Sequence, residues 1–172
     1  MYAGKEVRII AAVAANGTIG RRGRLPWSSK DYPGELAHFK DRTSEQGANT
    51  VVMGRATWDS IDERYRPLEG RANIVISRSR RINAPGVHTA RSLEDALEQA
   101  RTHVWLIGGA PVYGEALSKG YVDTIVLSEL KDSHPGDRSF PPIPTAFEAV
   151  DEDRREGFTI VTYRRDPKWN RI

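Results

Sequence analysis

The sequence predicts a single α/β domain over residues 1–172, with a central, mostly parallel twisted sheet, helices on both faces and an antiparallel hairpin at its carboxyl-terminal edge. The length of 172 residues fits one compact domain better than two. Short apolar runs alternate with helical patterns through the first two thirds of the chain, which is typical of parallel strands joined by helices. In the last third, strand-like runs follow one another without a helical pattern between them, which predicts antiparallel pairing.

The parallel strands are predicted from four short runs of apolar or β-branched residues, at positions 7–14, 50–53, 73–77 and 103–107. The run at 9–15 follows Lys5 and Arg8, a charge pattern that a secretory leader also shows. It ends in Asn16-Gly17, a turn signal, and we interpret it as a buried strand.

Three helices are predicted from their end signals. The first opens at Pro33-Gly34-Glu35 and runs toward Thr43, and a further helical stretch follows residues 54–57. Ser92 caps the second helix, which runs to about residue 101, and the third extends from near Pro111 to Gly120. Strands are predicted at 121–130, 147–151 and 158–165, the last two joined by a turn around 153–157.

Composition excludes several classes of protein. There are no cysteines, which rules out a disulfide scaffold, a thiolate zinc site and a cysteine nucleophile. The 26 basic and 23 acidic residues leave a formal net charge of +3, which favours local basic sites over diffuse binding to nucleic acid. No apolar run approaches a membrane span, and the 4 histidines show no metal-ligand spacing. We therefore expect a cytoplasmic protein with no metal, nucleic-acid or membrane partner.

Glycines and basic residues follow three of the predicted strands, at the ends where open α/β sheets bind ligands. Gly108-Gly109 precedes the third helix, residues 54–57 combine a glycine, a guanidinium and a hydroxyl, and residues 78–81 form a basic turn. Taken singly, each is also explained by ordinary turn chemistry. Together they indicate a site for a polyphosphorylated cofactor. The Walker A loop and the Rossmann glycine fingerprint are absent, so that site is of another kind.

A possible acid lies at the start of the first helix. Glu35 and Phe39 are one helical turn apart, so the carboxylate and the aromatic ring share a face. Such an acid beside an apolar wall can bind a cationic or amidine-like heterocycle or hold a shifted pKa. Spacing alone favours an acid that merely complements the helix N-terminus, and a Trp27 that is part of the core.

Taken in order, these residues resemble the dihydrofolate reductases, and the resemblance spans nearly the whole chain. The order and spacing of several blocks make it specific. The blocks lie at residues 9–14, 16–20, 25–27, 35–40, 51–61, 68–78 and 107–113.

The resemblance implies reduction of 7,8-dihydrofolate to 5,6,7,8-tetrahydrofolate by hydride transfer from NADPH, in support of one-carbon metabolism and thymidylate synthesis. It implies catalytic roles for Glu35, Trp27, Tyr113 and Ser128. Glu35 would grip the 2-amino group and N3 of the pterin, and Ser128 stands where the family usually has threonine. The implied substrate-binding residues are Ala12, Glu35, Leu36, Phe39, Ile61, Arg71, Ile107 and Ser128.

The implied partner molecules are NADPH, dihydrofolate and antifolate inhibitors, and we expect a monomer. Residues 16–27 match the mobile loop that closes over the nicotinamide. The family's Gly-Gly peptide, matched by Gly108-Gly109, is usually cis. The implied cofactor-binding residues are Ala12, Ile19, Gly20, Leu25, Gly54, Arg55, Ala56, Thr57, Ile76, Ser77, Arg78, Arg91, Ile107, Gly108, Gly109, Ala110, Val112 and Tyr113.

The chain departs from the family pattern at several positions. Residues 28–34 are longer than in typical bacterial members and include Asp31, a rival acid; the residues after Glu35 favour Glu35. Leu25 replaces a common methionine. Ala56 replaces a position that is often basic, which leaves more of the 2′-phosphate to Arg78 and Arg91. Glu69 replaces a proline and adds a negative charge near the predicted carboxylate clamp.

Three other functions are compatible with parts of the pattern. The related reductase of riboflavin synthesis shares the expected fold and uses NADPH, but Pro26-Trp27, residues 35–39 and Gly70-Arg71 favour the folate enzyme. A nucleotide-binding regulatory module would not need the acid, the clamp and the closing loop. A basic nucleic-acid-binding domain predicts steeply salt-dependent binding, without an aromatic stripe to support it.

Overall fold

A computed structural model describes residues 1–167 of the chain; the predicted domain end at residue 172 lies outside the described residues. The described part contains ten strands and four α-helices, with short 3-10 turns at Ser29–Asp31 and Glu63–Tyr65. In chain order the elements are β1 (Val7–Val13), β2 (Thr18–Gly20), α1 (Glu35–Thr43), β3 (Thr50–Gly54), α2 (Arg55–Ser60), β4 (Ala72–Ile76), β5 (Val87–Ala90), α3 (Leu93–Gln99), β6 (Val104–Gly108), α4 (Ala110–Ser118), β7 (Thr124–Leu130), β8 (Arg138–Ser139), β9 (Phe147–Arg155) and β10 (Phe158–Arg165).

Eight strands form one sheet in the order β5-β4-β3-β6-β1-β7-β10-β9. The pairs from β5 to β7 are all parallel, whereas β10 runs antiparallel to both β7 and β9. The predicted fold class is therefore confirmed, including the antiparallel hairpin at one edge. None of the helices within residues 1–167 combines the length and the hydropathy that a bilayer crossing requires.

The central strands are buried on both faces because their residues alternate between two apolar clusters. Ile9 belongs to the cluster covered by α3 and α4, and its neighbour Ile10 to the cluster on the opposite face, which Trp58 of α2 joins. In β3, Val52 and Val51 divide between the same two clusters. The near-continuous apolar runs in the sequence reflect this double coverage.

Several short or polar strands differ from the sequence-based expectation. β5 was not expected, because its four residues carry only one buried side chain, and it joins β4 in parallel without an intervening helix. β2 and β8 pair only over two to three residues. β9 extends to Arg155, four residues beyond its expected end, because an edge strand with exposed charged side chains carries no apolar pattern to mark it.

The register of the sheet places the carboxyl ends of four parallel strands at one edge. Met53 lies opposite Gly108, Gly54 opposite Ile76 and Ile76 opposite Ala90. The residues that follow these strands, far apart in the sequence, are therefore neighbours. This edge is where the predicted cofactor residues should meet.

Candidate active site

Glu35 is the first residue of α1, and the preceding Gly34 adopts φ +92° at the helix start. The carboxyl group is half-buried, and its desolvation raises the pKa of Glu35 above the ordinary value. The nearby Ser128 hydroxyl acts in the opposite direction and lowers the pKa by a smaller amount. Ser128 is 1% exposed, and its Oγ makes no hydrogen bond of ordinary geometry within residues 1–167. An acid and a hydroxyl thus face each other beneath a partly open surface.

Asp31, the rival acid, has a different environment. It lies in the exposed 3-10 turn, and its Oδ2 accepts a hydrogen bond from the backbone N–H of Ser28 at 2.9 Å. Ser28 Oγ accepts in turn from the N–H of Lys30 at 3.2 Å. The carboxylate therefore caps its own turn at the surface, which supports Glu35 as the functional acid.

An apolar wall lies on the same face of the sheet as Glu35. Its half-buried members all pack against one buried cluster and are Ala12, Trp27, Phe39, Ile61 and Ile107. Ala12 is directly opposite Ser128 in the β1–β7 register, which connects the wall to the acid–hydroxyl pair. Two predicted contacts, Leu36 and Leu25, do not pack against this cluster and are 60% and 62% exposed.

Arg71 is held at the end of the wall by two hydrogen bonds. Its Nε donates to the Glu69 carbonyl oxygen at 2.9 Å, and its Nη1 donates to Thr43 Oγ1 at 3.0 Å. Partial burial lowers the pKa of Arg71, and the Glu69 charge raises it by a smaller amount. Thr43 is fully buried and donates to the Phe39 carbonyl oxygen at 2.8 Å. The sequence did not indicate that Thr43 contacts Arg71, because nothing in its local pattern points to a residue 28 positions away.

Two glycines at the sheet edge leave little room for a side chain. A Cβ on Gly108, whose φ is +143°, would lie 2.9 Å from Thr57 Oγ1, and a Cβ on Gly54 would lie 3.3 Å from Val112 Cγ2. The Gly108–Gly109 peptide is cis, as the resemblance implied. Gly109 is the cap residue of α4, which begins at Ala110. Backbone and the Thr57 hydroxyl therefore form a close-packed cradle at this edge.

A basic pocket adjoins the cradle beyond β4 and β5. It encloses about 340 Å³ and includes the predicted Ser77, Arg78 and Arg91. The Ser77 backbone N–H donates to the Ala90 carbonyl oxygen at 2.8 Å, which joins the two strand ends. The remaining lining residues are Ser79, Arg80, Arg81, His88, Thr89 and Gln99. His88 was assigned no role from sequence, because its strand β5 was itself not expected; Arg80 and Arg81 were visible only as part of a basic turn.

Arg55 and Ala56 lie at the start of α2, next to the cradle. Arg55 Nε is 3.4 Å from Asp59 Oδ2, an ion pair one turn apart on a surface helix. Its side chain is 36% exposed, so part of the guanidinium is accessible, whereas Nε itself is buried. Ala56 is exposed and contributes no donor.

The segment of residues 16–27, here the closing segment, is joined to the loop after β7 at its base. β2 pairs with β8, and the Asp137 backbone N–H donates to the Gly20 carbonyl oxygen at 3.0 Å. A Cβ on Gly136 would overlap Gly20 O and Thr18 Cγ2, so the two backbones are in direct contact there. Residues 21–25 are exposed, and Ile19 packs against the sheet.

Tyr113 is buried in α4 rather than lining an open surface. Its hydroxyl donates to the Ile10 carbonyl oxygen at 3.0 Å, and burial raises the pKa of Tyr113 well above its usual range. Ile76 and Ile107 near the strand ends and Val112 in α4 are half-buried. Within residues 1–167, no cluster of three or more histidine, aspartate or glutamate side chains is arranged to hold a metal ion.

Comparison with known proteins places this arrangement in a family. A sequence-family model described as dihydrofolate reductase matches residues 6–165. A dihydrofolate reductase of Mycobacterium tuberculosis (strain H37Rv) is 45% identical over 111 residues, so the match spans 64% of each chain, just under two thirds of that relative. Dihydrofolate reductases of Heliothis virescens and Bos taurus are each 36% identical, covering 88% and 81% of this chain and 88% and 80% of their own.

Proposed function

The chain belongs to the dihydrofolate reductase family, and from this premise we propose that it reduces 7,8-dihydrofolate to 5,6,7,8-tetrahydrofolate with NADPH as the reductant. The product would serve one-carbon metabolism and thymidylate synthesis. A monomeric state, a cytoplasmic location and inhibition by antifolates belong to the same proposal.

The observation that carries the proposal is the half-buried Glu35 carboxyl beside Ser128 and the apolar wall. A carboxylate can accept two parallel hydrogen bonds from the 2-amino group and N3 of a pterin. The wall offers Phe39 and Ile61 for the flat ring system and excludes water around the acid. At the far end, Arg71 can bind the substrate's α-carboxylate in bidentate fashion, its orientation set by Thr43.

The residues at the sheet edge fit NADPH. The glycine cradle lets a pyrophosphate approach the backbone beside Thr57, and the five basic groups of the adjoining pocket suit a 2′-phosphate. Arg55 supplies a further guanidinium near the pyrophosphate. When bound, NADPH would supply the hydride.

The protein's own contribution is binding, orientation and control of a proton. Glu35 would polarise the pterin. None of the residues that match the family's site would reach N5 directly, so we infer that a water molecule delivers the proton to that atom. Trp27 would order this water, and the closing segment would keep bulk water out. A burial-raised pKa suits Glu35 to this role, because a carboxyl whose pKa lies nearer the working pH exchanges protons more readily.

Arg71→Lys is expected to weaken substrate binding more than turnover. Lysine keeps the charge but loses the planar fork and the hydrogen bond to Thr43 Oγ1. A loss of roughly 1.5–3 kcal/mol corresponds to an increase of about 10- to 150-fold in KM for dihydrofolate. Steady-state kinetics at saturating NADPH measure it. An unchanged KM would remove Arg71 from the proposed site.

Replacing both Arg78 and Arg91 with alanine is expected to reduce the preference for NADPH over NADH. Both side chains line the basic pocket and are exposed, so each contributes modestly to binding. We expect the loss of both to raise KM for NADPH roughly tenfold. KM for NADH, which lacks the 2′-phosphate, should not change. Arg154→Ala is the matched control, since this arginine is 85% exposed on the distant strand β9. Equal losses with both cofactors would contradict the assignment.

A further inference from the structure

Tyr32 is a buried anchor within an otherwise exposed stretch of chain. It is 2% exposed, whereas residues 28–31 and 33–34 around it are exposed. These residues belong to the stretch between Trp27 and Glu35 that is longer than in typical bacterial members of the family. The ring packs into the apolar cluster beneath the wall and lies against Gly157, where an added Cβ would be 3.5 Å from Tyr32 Cδ1.

The Tyr32 hydroxyl is part of a three-membered hydrogen-bond chain. It donates to Asp132 Oδ2 at 2.9 Å and lies 2.6 Å from His134 Nε2. A carboxylate only accepts and the hydroxyl has one proton, so His134 Nε2–H must be the donor to the Tyr32 oxygen. Burial and Asp132 together raise the pKa of Tyr32 to about 12, and the hydroxyl stays protonated at physiological pH.

His134 also contacts both ends of the closing segment. At the first end, the Asn16 side-chain amide donates to the His134 carbonyl oxygen at 2.9 Å and accepts from its backbone N–H at 3.3 Å. At the second end, the Trp27 and His134 rings lie 5.2 Å apart between centroids. One residue of the loop after β7 therefore connects Tyr32 with the beginning and the end of the closing segment.

Tyr32 is in turn connected to Glu35 and Trp27, two of the residues that the proposed reaction uses. Its carbonyl oxygen accepts the backbone N–H of Glu35 at 3.1 Å, the bond at which α1 begins. Its ring meets the Trp27 ring edge-on, at 6.3 Å and 90°. We propose that Tyr32 and His134 are a pair of positioning residues that keep Glu35, Trp27 and the closing segment in mutual register; this inference rests on the proposed function.

Tyr32→Phe tests the proposal by removing only the hydroxyl. Tyr163→Phe is the matched control, because the Tyr163 hydroxyl donates to Glu129 Oε2 at 3.0 Å and also has its pKa raised to about 12, but it lies on β10 away from the site. His134→Gln is the conservative second variant, since its amide can donate to Tyr32 but cannot reproduce the ring against Trp27. His134→Ala removes both interactions.

The first readout is tryptic cleavage after Arg21, Arg22 and Arg24, which are exposed in the closing segment, with cleavage after the exposed Arg154 as the internal reference. This readout does not depend on activity. Cleavage should rise several-fold in Tyr32→Phe and His134→Ala, less in His134→Gln, and not in Tyr163→Phe. Unchanged cleavage in both Tyr32→Phe and His134→Ala would overturn the proposal.

The second readout is kinetic. Tyr32→Phe should lower kcat and shift its pH profile, by moving Glu35 and Trp27, with a smaller change in KM for NADPH. The Tyr32→Phe, His134→Ala double variant should lose little more than the worse single variant, because the two act through one contact. Normal kcat and pH profile alongside raised cleavage would reduce the pair to a structural anchor and overturn the positioning role. A wild-type chain without dihydrofolate turnover would count against the proposed function and hence the positioning role, while the cleavage comparison would still decide the anchoring.

Discussion

Glu35→Gln is expected to lose most turnover at neutral pH, by about 10²- to 10⁴-fold, the range typical of a lost acid–base group. Glutamine has the size of glutamate and its carbonyl oxygen can accept one hydrogen bond from the pterin. It carries no charge to polarise the ring and cannot take part in proton exchange. Single-turnover and steady-state rates with NADPH and dihydrofolate, measured from pH 5 to pH 9, give the comparison.

The same substitution should not destabilise the protein. Burial raises the pKa of Glu35 in the folded state above the ordinary value, so folding favours the protonated carboxyl. The resulting stabilisation is present below the unfolded pKa and is lost as the pH rises through the folded pKa. Glutamine stays neutral at every pH. The melting temperature of the variant should therefore rise relative to that of the wild type as the pH increases from 4 to 8.

Asp31→Asn is the control that separates the two acids in this stretch. Asp31 caps an exposed turn, so this variant should keep its turnover and lose only a little stability, about 0.5–1 kcal/mol. Unchanged turnover in Glu35→Gln, or a large loss in Asp31→Asn, would contradict the assignment of the acid.

Gly108→Ala is expected to weaken NADPH binding about 100-fold or more. The added Cβ would lie 2.9 Å from Thr57 Oγ1, and φ at this position is +143°, a conformation that alanine rarely adopts. Such strain costs roughly 1–3 kcal/mol, so we also expect a lower melting temperature. Relieving the clash moves Thr57 or the glycine pair, and either movement disrupts the cradle. Tryptophan-to-NADPH energy transfer measures the dissociation constant.

Gly114→Ala provides a control in the helix that follows. Gly114 lies inside α4 and has no heavy atom within 4 Å of an added Cβ. Alanine is the better helix former, so this variant should be equally or more stable, by up to about 1 kcal/mol, with unchanged cofactor binding. Normal NADPH binding by Gly108→Ala would show that the cradle does not hold the pyrophosphate.

The central part of the fold could be predicted because local pattern and final environment agree there. β1, β3 and β6 are buried on both faces, so their apolar runs are nearly continuous. β10 matches its predicted bounds, Phe158–Arg165. The three predicted helices, which are α1, α3 and α4, begin within about one residue of their predicted starts. β5 and the last four residues of β9 were not predicted, because edge strands with exposed side chains carry little periodic signal.

The same distinction applies to the candidate site: some of its residues have a local signal in the sequence, and others do not. Glu35, Phe39 and the Gly108-Gly109 pair lie within short blocks of sequence whose residue types already indicate their chemistry. Thr43 holds Arg71 across 28 positions, and Tyr32 meets His134 across 102, so neither contact has a local signature. His88 lines the basic pocket because β5, a strand that the sequence did not predict, pairs with β4. Contacts set by tertiary packing become visible only when the chain is folded.

The most direct test of the proposed function is the near-ultraviolet absorbance of NADPH mixed with the purified chain, with and without dihydrofolate. We predict that NADPH is consumed only when dihydrofolate is present, and that NADH is consumed much more slowly. Binding of NADPH without dihydrofolate-dependent consumption would contradict the account, and Glu35 would be the first assignment to fail.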